Sequence, residues 1–394
     1  LKHPLSVDTY IEQTLAGAKG VLIRLIGGVP YWHYGLQQLK ELARAKGIAV
    51  AVLPADGRPD KRLDDFSTLP VSTLHRLAHL CDNGGAIAAQ AALAQLSLAA
   101  GLYAGPVMGS KVVPEAGAWT PQTGVTTLTD THLASLKPRI AIVFYRSYLV
   151  AADTAPIEAL FNSFTERGYD VMGFFAPSLK APDAARWLAS QISTFAPSAI
   201  ISATAFSGKG NSGTSPLDAA NVPVFQVTLA TSTRQAWEEA ERGLSPADLA
   251  MHVVLPEVDV RLTGGVVSFK EPSQRDEQLQ FSRHIHTPDH ERIAALTDRV
   301  EGWINLAAKP QAERRVALIL STYPGKDWNM GHAIGLDAPA SAEAILHDLA
   351  ADGYAVKADE TQLTDALLAR SFHYPLADYA QALKALPRQL QDDF

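Results

Sequence analysis

The chain has 394 residues, 47% hydrophobic and 19% charged, enough apolar material for two or three packed domains and too much for a disordered chain. Its formal net charge is −7 and its pI about 5.9, which argues against a nucleic-acid partner, because phosphate binding needs a basic face. The single cysteine, Cys81, excludes an internal disulfide and a thiolate metal cluster.

No run reaches the roughly 18–20 unbroken apolar residues of a membrane helix. No charged-then-apolar leader opens the sequence, so a cytoplasmic location is expected. The chain starts at Leu1 without a methionine, and we expect a segment of a longer protein.

Short β-branched runs alternate with amphipathic helices. Val21 to Ile26 reads as a buried strand, Tyr34 to Lys46 as a helix, and Gly47 sits where a helix-ending glycine belongs. Ile48 to Leu53 is a second strand, which completes a βαβ unit. Thr73 to Ala100 reads as helix, with Asn83-Gly84-Gly85 as its natural interruption. Residues 103–138 are rich in Gly, Pro and Thr and read as a long connection or a small β insertion.

A second unit opens at Arg139. Strands at Ile140 to Tyr145, Val171 to Phe175, Ala199 to Ala203 and Val224 to Leu229 alternate with helices at Thr154 to Arg167 and Ala184 to Phe195. This order builds an open parallel sheet. Val253 to Leu255 and Val266 to Phe269 suggest a further strand pair. Thr287 and Pro288 suit the first positions of a long helix ending near Ala308. Arg315 to Ser321, a helix at Ala340 to Ala351 and a strand at Tyr354 to Val356 start a third unit. The fold expected is therefore α/β: several Rossmann-like or flavodoxin-like open parallel-sheet units with helical connections. The expected domains are 1–135, 136–310 and a third beginning at 311 and running to 394.

Five segments carry candidate chemistry. Gly208-Lys209-Gly210-Asn211-Ser212-Gly213 follows a strand but lacks the order of a Walker loop, and no dinucleotide fingerprint is present. His284 and His286 share one face of a strand and are the best metal candidates, although no third ligand completes the set. A solvated helix entry is the plainer account.

Tyr145, Arg146 and Tyr148 follow the first strand of the second unit, where α/β folds bind ligands. An Arg between two aromatics suits a carboxylate and a flat ring. Asp153 opens the next helix, as a cap or as a ligand contact. In Ser245-Pro-Ala-Asp248-Leu-Ala-Met251-His252-Val-Val-Leu-Pro256-Glu257, a capped turn runs into a strand. His252 and Glu257 there are candidate proton acceptors for pyrrole nitrogens or transient metal ligands, against core packing. Gly331-His332 and Tyr323-Pro-Gly-Lys326 lie in the third unit, as loop formers or as contacts to a shared site.

Four runs resemble the large subunit of ATP-dependent aerobic cobaltochelatase. They are Gly27-Gly-Val-Pro-Tyr31-Trp-His-Tyr-Gly35 through Val52-Leu-Pro-Ala-Asp-Gly-Arg-Pro-Asp60; Phe144-Tyr-Arg-Ser-Tyr-Leu-Val-Ala-Ala-Asp-Thr-Ala-Pro156; Gly243 through Glu257; and Ile334-Gly-Leu-Asp-Ala-Pro-Ala-Ser341. The resemblance is collinear over nearly the whole chain and extends more distantly to the porphyrin-binding large subunit of magnesium chelatase.

It implies a tetrapyrrole-binding subunit far longer than this chain, of which this is the N-terminal part. It implies insertion of Co2+, as substrate, into hydrogenobyrinic acid a,c-diamide in cobalamin biosynthesis. Mg-ATP is then hydrolysed by separate AAA+ partner subunits, which fits the missing Walker loop. No resident cofactor is expected in this segment, nor a nucleic-acid or membrane partner.

The family's His-Gly-x-x-Glu-Trp-Leu-Pro-Gly-Lys run is absent, so no catalytic residue carries over and the segment alone should be inactive. His33 stands where the family more often has Arg. Competing readings are a non-catalytic head or interaction module of that subunit, or part of a magnesium-chelatase-type enzyme. A nucleotide-sugar or periplasmic-type binding protein lacks its motif and its secretion signal.

Overall fold

The computed structural model describes the chain except residues 1–2, 56–57, 211–212, 279–280, 322–330, 332–334, 357–362, 370–373 and 393–394. Two compact units emerge, Leu1–Glu301 and Gly302–Phe394.

In the first unit, α1 (Pro4–Gln13) precedes strand β1 (Gly20–Leu25), α2 (His33–Lys46) and strand β2 (Ala49–Pro54), and the two strands pair in parallel. Strand β2 is buried on both faces, and its two-residue period divides the load. Val50 and Val52 pack with Leu36, Leu39 and Val7, while Ala51 and Leu53 pack with Leu74, Leu77 and Ala92. The second group comes from α3 (Val71–Asn83) and α4 (Ala86–Ala99). The break between those helices falls at the expected glycines. Gly84 has φ +67°, and a Cβ there would sit 2.0 Å from Val150 Cγ1, so both conformation and space demand glycine.

The Gly/Pro-rich stretch contains a hairpin, β3 (Gly117–Thr120) and β4 (Gly124–Thr126), followed by α5 (Asp130–Ala134). The main sheet then builds from β5 (Arg139–Tyr145), α6 (Arg146–Val150), α7 (Ala155–Glu166), β6 (Asp170–Ala176), α8 (Pro182–Phe195), β7 (Ala199–Ala203) and β8 (Val224–Leu229). Short helical pieces α9 (Arg234–Glu239), α10 (Pro246–Leu249) and α11 (Leu255–Val258) lead to β9 (Leu262–Pro272), β10 (His284–Pro288) and α12 (His290–Ala308).

The strand order is β10-β9-β8-β7-β5-β6-β3-β4. Strands β6, β5, β7, β8 and β9 are mutually parallel, while β10 and the β3–β4 hairpin add antiparallel edges. Numbered from β5, the parallel core runs 2-1-3-4-5, the flavodoxin-like doubly wound order. Ala141, Val143, Phe174 and Ile200 pack against Leu188, Ile192 and Phe195 of α8. The opposite face takes α7, which the Ser163–Thr297 hydroxyl contact of 2.9 Å joins to α12.

Two local expectations are corrected in this unit. Val253 to Leu255 is not a strand: Ala250–Val254 forms a π-helical turn between α10 and α11. Pro256 has no N–H for the carbonyl one turn back and its ring crowds that turn, so the helix widens rather than unwinds. Thr287 and Pro288 belong to β10, and Asp289 caps α12 instead, its carboxylate accepting from Arg292 N at 3.1 Å.

The second unit contains α13 (Ala338–Ala351), α14 (Leu363–Ala369), α15 (Leu376–Ala385) and α16 (Arg388–Asp392). Arg315 to Ser321 and Tyr354 to Val356, expected as strands, form none; no neighbouring strand among the described residues of this unit takes their N–H and C=O groups.

Candidate functional site

The strand order reverses between β5 and β7, and in folds of this class ligands bind outside the carboxyl ends of the strands at that point. Tyr145 ends β5 there. Its hydroxyl donates to Ala205 O at 2.6 Å and accepts from Ala205 N at 3.1 Å, strapping the two strands together. Burial pushes its phenol pKa up, with the Ala205 hydrogen bond opposing. Arg146 follows and is anchored inward. Its Nε donates to Pro114 O at 2.9 Å and its Nη2 to Val113 O at 2.7 Å and Asn83 O at 3.1 Å. Only Nη1 is left without a protein acceptor among the described residues.

Asp153 and His286 meet across 133 residues of sequence. The carboxylate accepts from His286 N at 2.8 Å and lies 2.7 Å from Nδ1 of the ring. Both side chains are buried. A tight turn brings Asp153 into place, with Asp153 N donating to Tyr148 O at 2.9 Å. The Tyr148 ring stands edge-on to His286, centroids 5.6 Å apart. Burial raises the Tyr148 pKa strongly, and the charges of Asp153 and Asp248 add to this, so its phenol stays protonated.

The third component is Asp248 with His252. Ser245 Oγ caps the turn by accepting from Asp248 N at 3.1 Å. The Asp248 carboxylate is wholly buried and accepts from Thr231 N at 3.1 Å and from Thr231 Oγ1 at 2.9 Å, which ties the end of β8 to the helical segment. His252 lies one turn on, its Nε2 4.0 Å from Asp248 Oδ1, too far for a hydrogen bond. Its Nδ1 is buried with no partner among the described residues. Burial lowers the His252 pKa, with Asp248 and the Thr204 backbone opposing, so the imidazole is neutral at neutral pH. The π-helical turn around it belongs to a class found often at functional sites.

Tyr145, Tyr148, Asp153, His252 and His286 are thus gathered at one end of the sheet. Glu257 is exposed on α11, and His284 is exposed on the edge strand β10. His332 and Tyr323 to Lys326 lie outside the described residues. Among the described residues no three His, Cys, Asp or Glu side chains converge as a metal site.

Sequence reasoning read the capped turn at Ser245-Pro-Ala-Asp248 but passed over the bond of the buried Asp248 carboxylate to Thr231. It also passed over Asp259, whose buried carboxylate accepts from Ser207 Oγ at 2.8 Å and Gly208 N at 2.7 Å and so fastens the loop after β7. Chemically, the cluster offers a neutral imidazole with a free ring nitrogen, a second imidazole held by a carboxylate, and two phenols that stay protonated. It is equipped to bind a polar ligand and to take up and pass on protons.

The profile of the CobN/Magnesium Chelatase family matches residues 81–394. Aerobic cobaltochelatase subunit CobN of a Sinorhizobium species is 33% identical over all of this chain and 33% of its own length. The protein of the same name from Pseudomonas aeruginosa is 32% identical over 90% of this chain and 29% of its own length. The chloroplastic magnesium-chelatase subunit ChlH of Oryza sativa is 29% identical over 56% of this chain and 16% of its own length. The solved catalytic subunit of cobaltochelatase from Mycobacterium tuberculosis superposes on 98% of this chain and 32% of its own, with a TM-score of 0.73 and 25% identity. The chain thus spans about a third of the length of these cobaltochelatase relatives.

Proposed function

This chain belongs to the CobN/magnesium chelatase family, and we propose that it works as part of the tetrapyrrole-binding large subunit of a cobaltochelatase. The substrate on this reading is hydrogenobyrinic acid a,c-diamide, and Co2+ is the metal inserted. Mg-ATP is hydrolysed by separate AAA+ subunits, consistent with a sequence that holds no Walker loop. The same reading places the complex in the cytoplasm. No helix among the described residues is long and apolar enough to cross a membrane.

The observation that supports a part in proton transfer is His252, a buried neutral imidazole at the carboxyl ends of the strands. Metal insertion releases a proton from each pyrrolic N–H it replaces, and a neutral imidazole with an unpartnered ring nitrogen is a suitable acceptor. The Asp153–His286 pair provides a second step for such a proton, with Tyr148 beside it. In this reading Tyr145 straps the strand ends together at the reversal, and Arg146 keeps its Nη1 donors without a protein acceptor among the described residues. Glu257 contributes from the exposed flank of α11.

The test is titration of the 394-residue chain with hydrogenobyrinic acid a,c-diamide, followed by corrinoid absorbance. Saturable binding, weakened roughly tenfold by His252→Ala while the circular dichroism is unchanged, is the expected result. Equal binding by the two proteins removes His252 from the site. No binding by the folded wild type removes the ligand-facing role from this chain and favours an interaction module.

A further inference from the structure

A cleft of about 540 Å3 lies beside the crevice, between the loops that follow β6 and β7. Leu179 and Lys180 form one wall, Arg186 the flank on α8, and Lys209, Thr214 and Ser215 the other wall. Its size is that of a small-molecule site. Gly208 lets the walls come this close: a Cβ there would lie 2.8 Å from Ser215 Oγ and 2.9 Å from Leu179 Cδ1. Asp259 fixes Gly208 and Ser207 from behind, so the wall carrying Lys209 is held by the same loop that leaves the crevice.

The charge on this cleft opposes that of the chain, whose formal net charge is −7. Three cations line it. Arg186 is paired with Asp183, but neither lysine meets a carboxylate among the described residues. Lys209 Nζ has only the Val258 carbonyl at 3.5 Å, and Lys180 is exposed. The first turn of α8 borders the same space, and there the Asp183 carboxylate is taken up by Arg186 rather than by either lysine. Two unpaired ammonium groups in a shaped recess are an anion site, and the mixed apolar lining suits an organic anion.

We propose that this cleft seats peripheral carboxylates of the tetrapyrrole, with Lys180 and Lys209 as the carboxylate-binding groups. The ligand's identity rests on the chelatase reading above. The a,c-diamide keeps acid side chains around its ring, and a ring whose face meets the crevice would extend such an edge toward the neighbouring loops.

The experiment compares wild type with Lys180→Ala/Lys209→Ala, titrated with hydrogenobyrinic acid a,c-diamide and with its fully amidated analogue. Losing two partly solvated ion pairs is expected to weaken the acid roughly tenfold, while the amidated analogue binds both proteins alike. The wild-type affinity for the acid is also expected to fall with salt more steeply than the variant's. Equal affinity of both proteins for the acid overturns the proposal and leaves the chelatase reading standing. A parallel loss for the amidated analogue overturns it too, since the lysines would then act on fold or ring. Failure of the wild type to bind either ligand defeats the reading, and the proposal with it.

Discussion

Replacing Asp153 tests whether the end of the sheet is held as described. In Asp153→Ala, two buried donors lose their acceptor: the backbone N–H of His286, now at 2.8 Å, and its ring nitrogen at 2.7 Å. A buried donor left unpaired costs roughly 1–3 kcal/mol, so the two together set a range of about 2–6 kcal/mol. The ring can rotate toward water and recover part of this, which places the expectation near 3 kcal/mol. Asp153→Asn keeps the size and one acceptor, and should cost about 1 kcal/mol, because the ring can switch tautomer to accept from the amide.

His286→Ala alone leaves the carboxylate buried with one donor fewer. A double-mutant cycle should therefore return a coupling of about 1.5–3 kcal/mol, the scale of a hydrogen bond to a charged group. Native-state hydrogen exchange at the β5 and β7 amides reads the stability of the first unit without mixing in the second. A loss below about 0.5 kcal/mol in Asp153→Ala, or coupling near zero, would refute the clamp.

Other expectations follow from the same contacts. Arg146→Ala should lower the melting temperature of the first unit by about 4–8 °C, corresponding to about 2 kcal/mol, because three carbonyls lose their shared donor. Arg146→Lys should recover less than half, as an ammonium cannot fork across them; an unchanged melt in Arg146→Ala argues the opposite. Gly84→Ala should destabilise by at least about 2 kcal/mol through its positive φ and the clash with Val150. Adding Val150→Ala should relieve the clash but not the backbone strain, and full recovery would show that strain is absent.

His252 makes stability depend on pH. Its folded pKa lies below the ordinary 6.5, so above that value neither state is charged and nothing is lost. Below it the unfolded state takes up the proton first, and stability falls as pH drops from 6.5 toward the lowered folded value. Between about pH 7.5 and 5.5 the wild type should lose up to roughly 1.4 kcal/mol more than His252→Gln. Parallel curves would mean that burial does not hold His252 neutral against the opposing pull of Asp248 and the Thr204 backbone.

The central βαβ run was readable because its strands are continuous apolar stretches and its helices keep a clear period. Even the break at Gly84 and Gly85 was visible. What misled was context. Val253-Val254-Leu255 is β-branched enough to suggest a strand, but Ser245 starts a helix upstream and packing carries it through Pro256 as a widened turn. Thr287-Pro288 looks like a helix start, yet backbone pairing with β9 holds both residues in a strand and passes the cap to Asp289. Arg315 to Ser321 has the composition of a strand but no partner among the described residues.

The site shows the same division. Tyr145, Tyr148, Asp153, His252 and His286 stood out by position after strands or by residue type. That Asp153 and His286 are partners could not be read, because 133 residues separate them and only the pairing of β9 with β10 brings His286 in. Arg146 was expected to face outward between two aromatics, and most of its donors reach inward to carbonyls of a loop whose path no local pattern encodes.

The most direct test of a tetrapyrrole site at this end of the sheet is hydrogen–deuterium exchange of the whole chain with and without saturating hydrogenobyrinic acid a,c-diamide. Protection concentrated at residues 203–210 and 246–260, with β1 and β2 unchanged, is the expected pattern. Saturated ligand with no protection in either segment, or protection confined to residues distant from both, would contradict it.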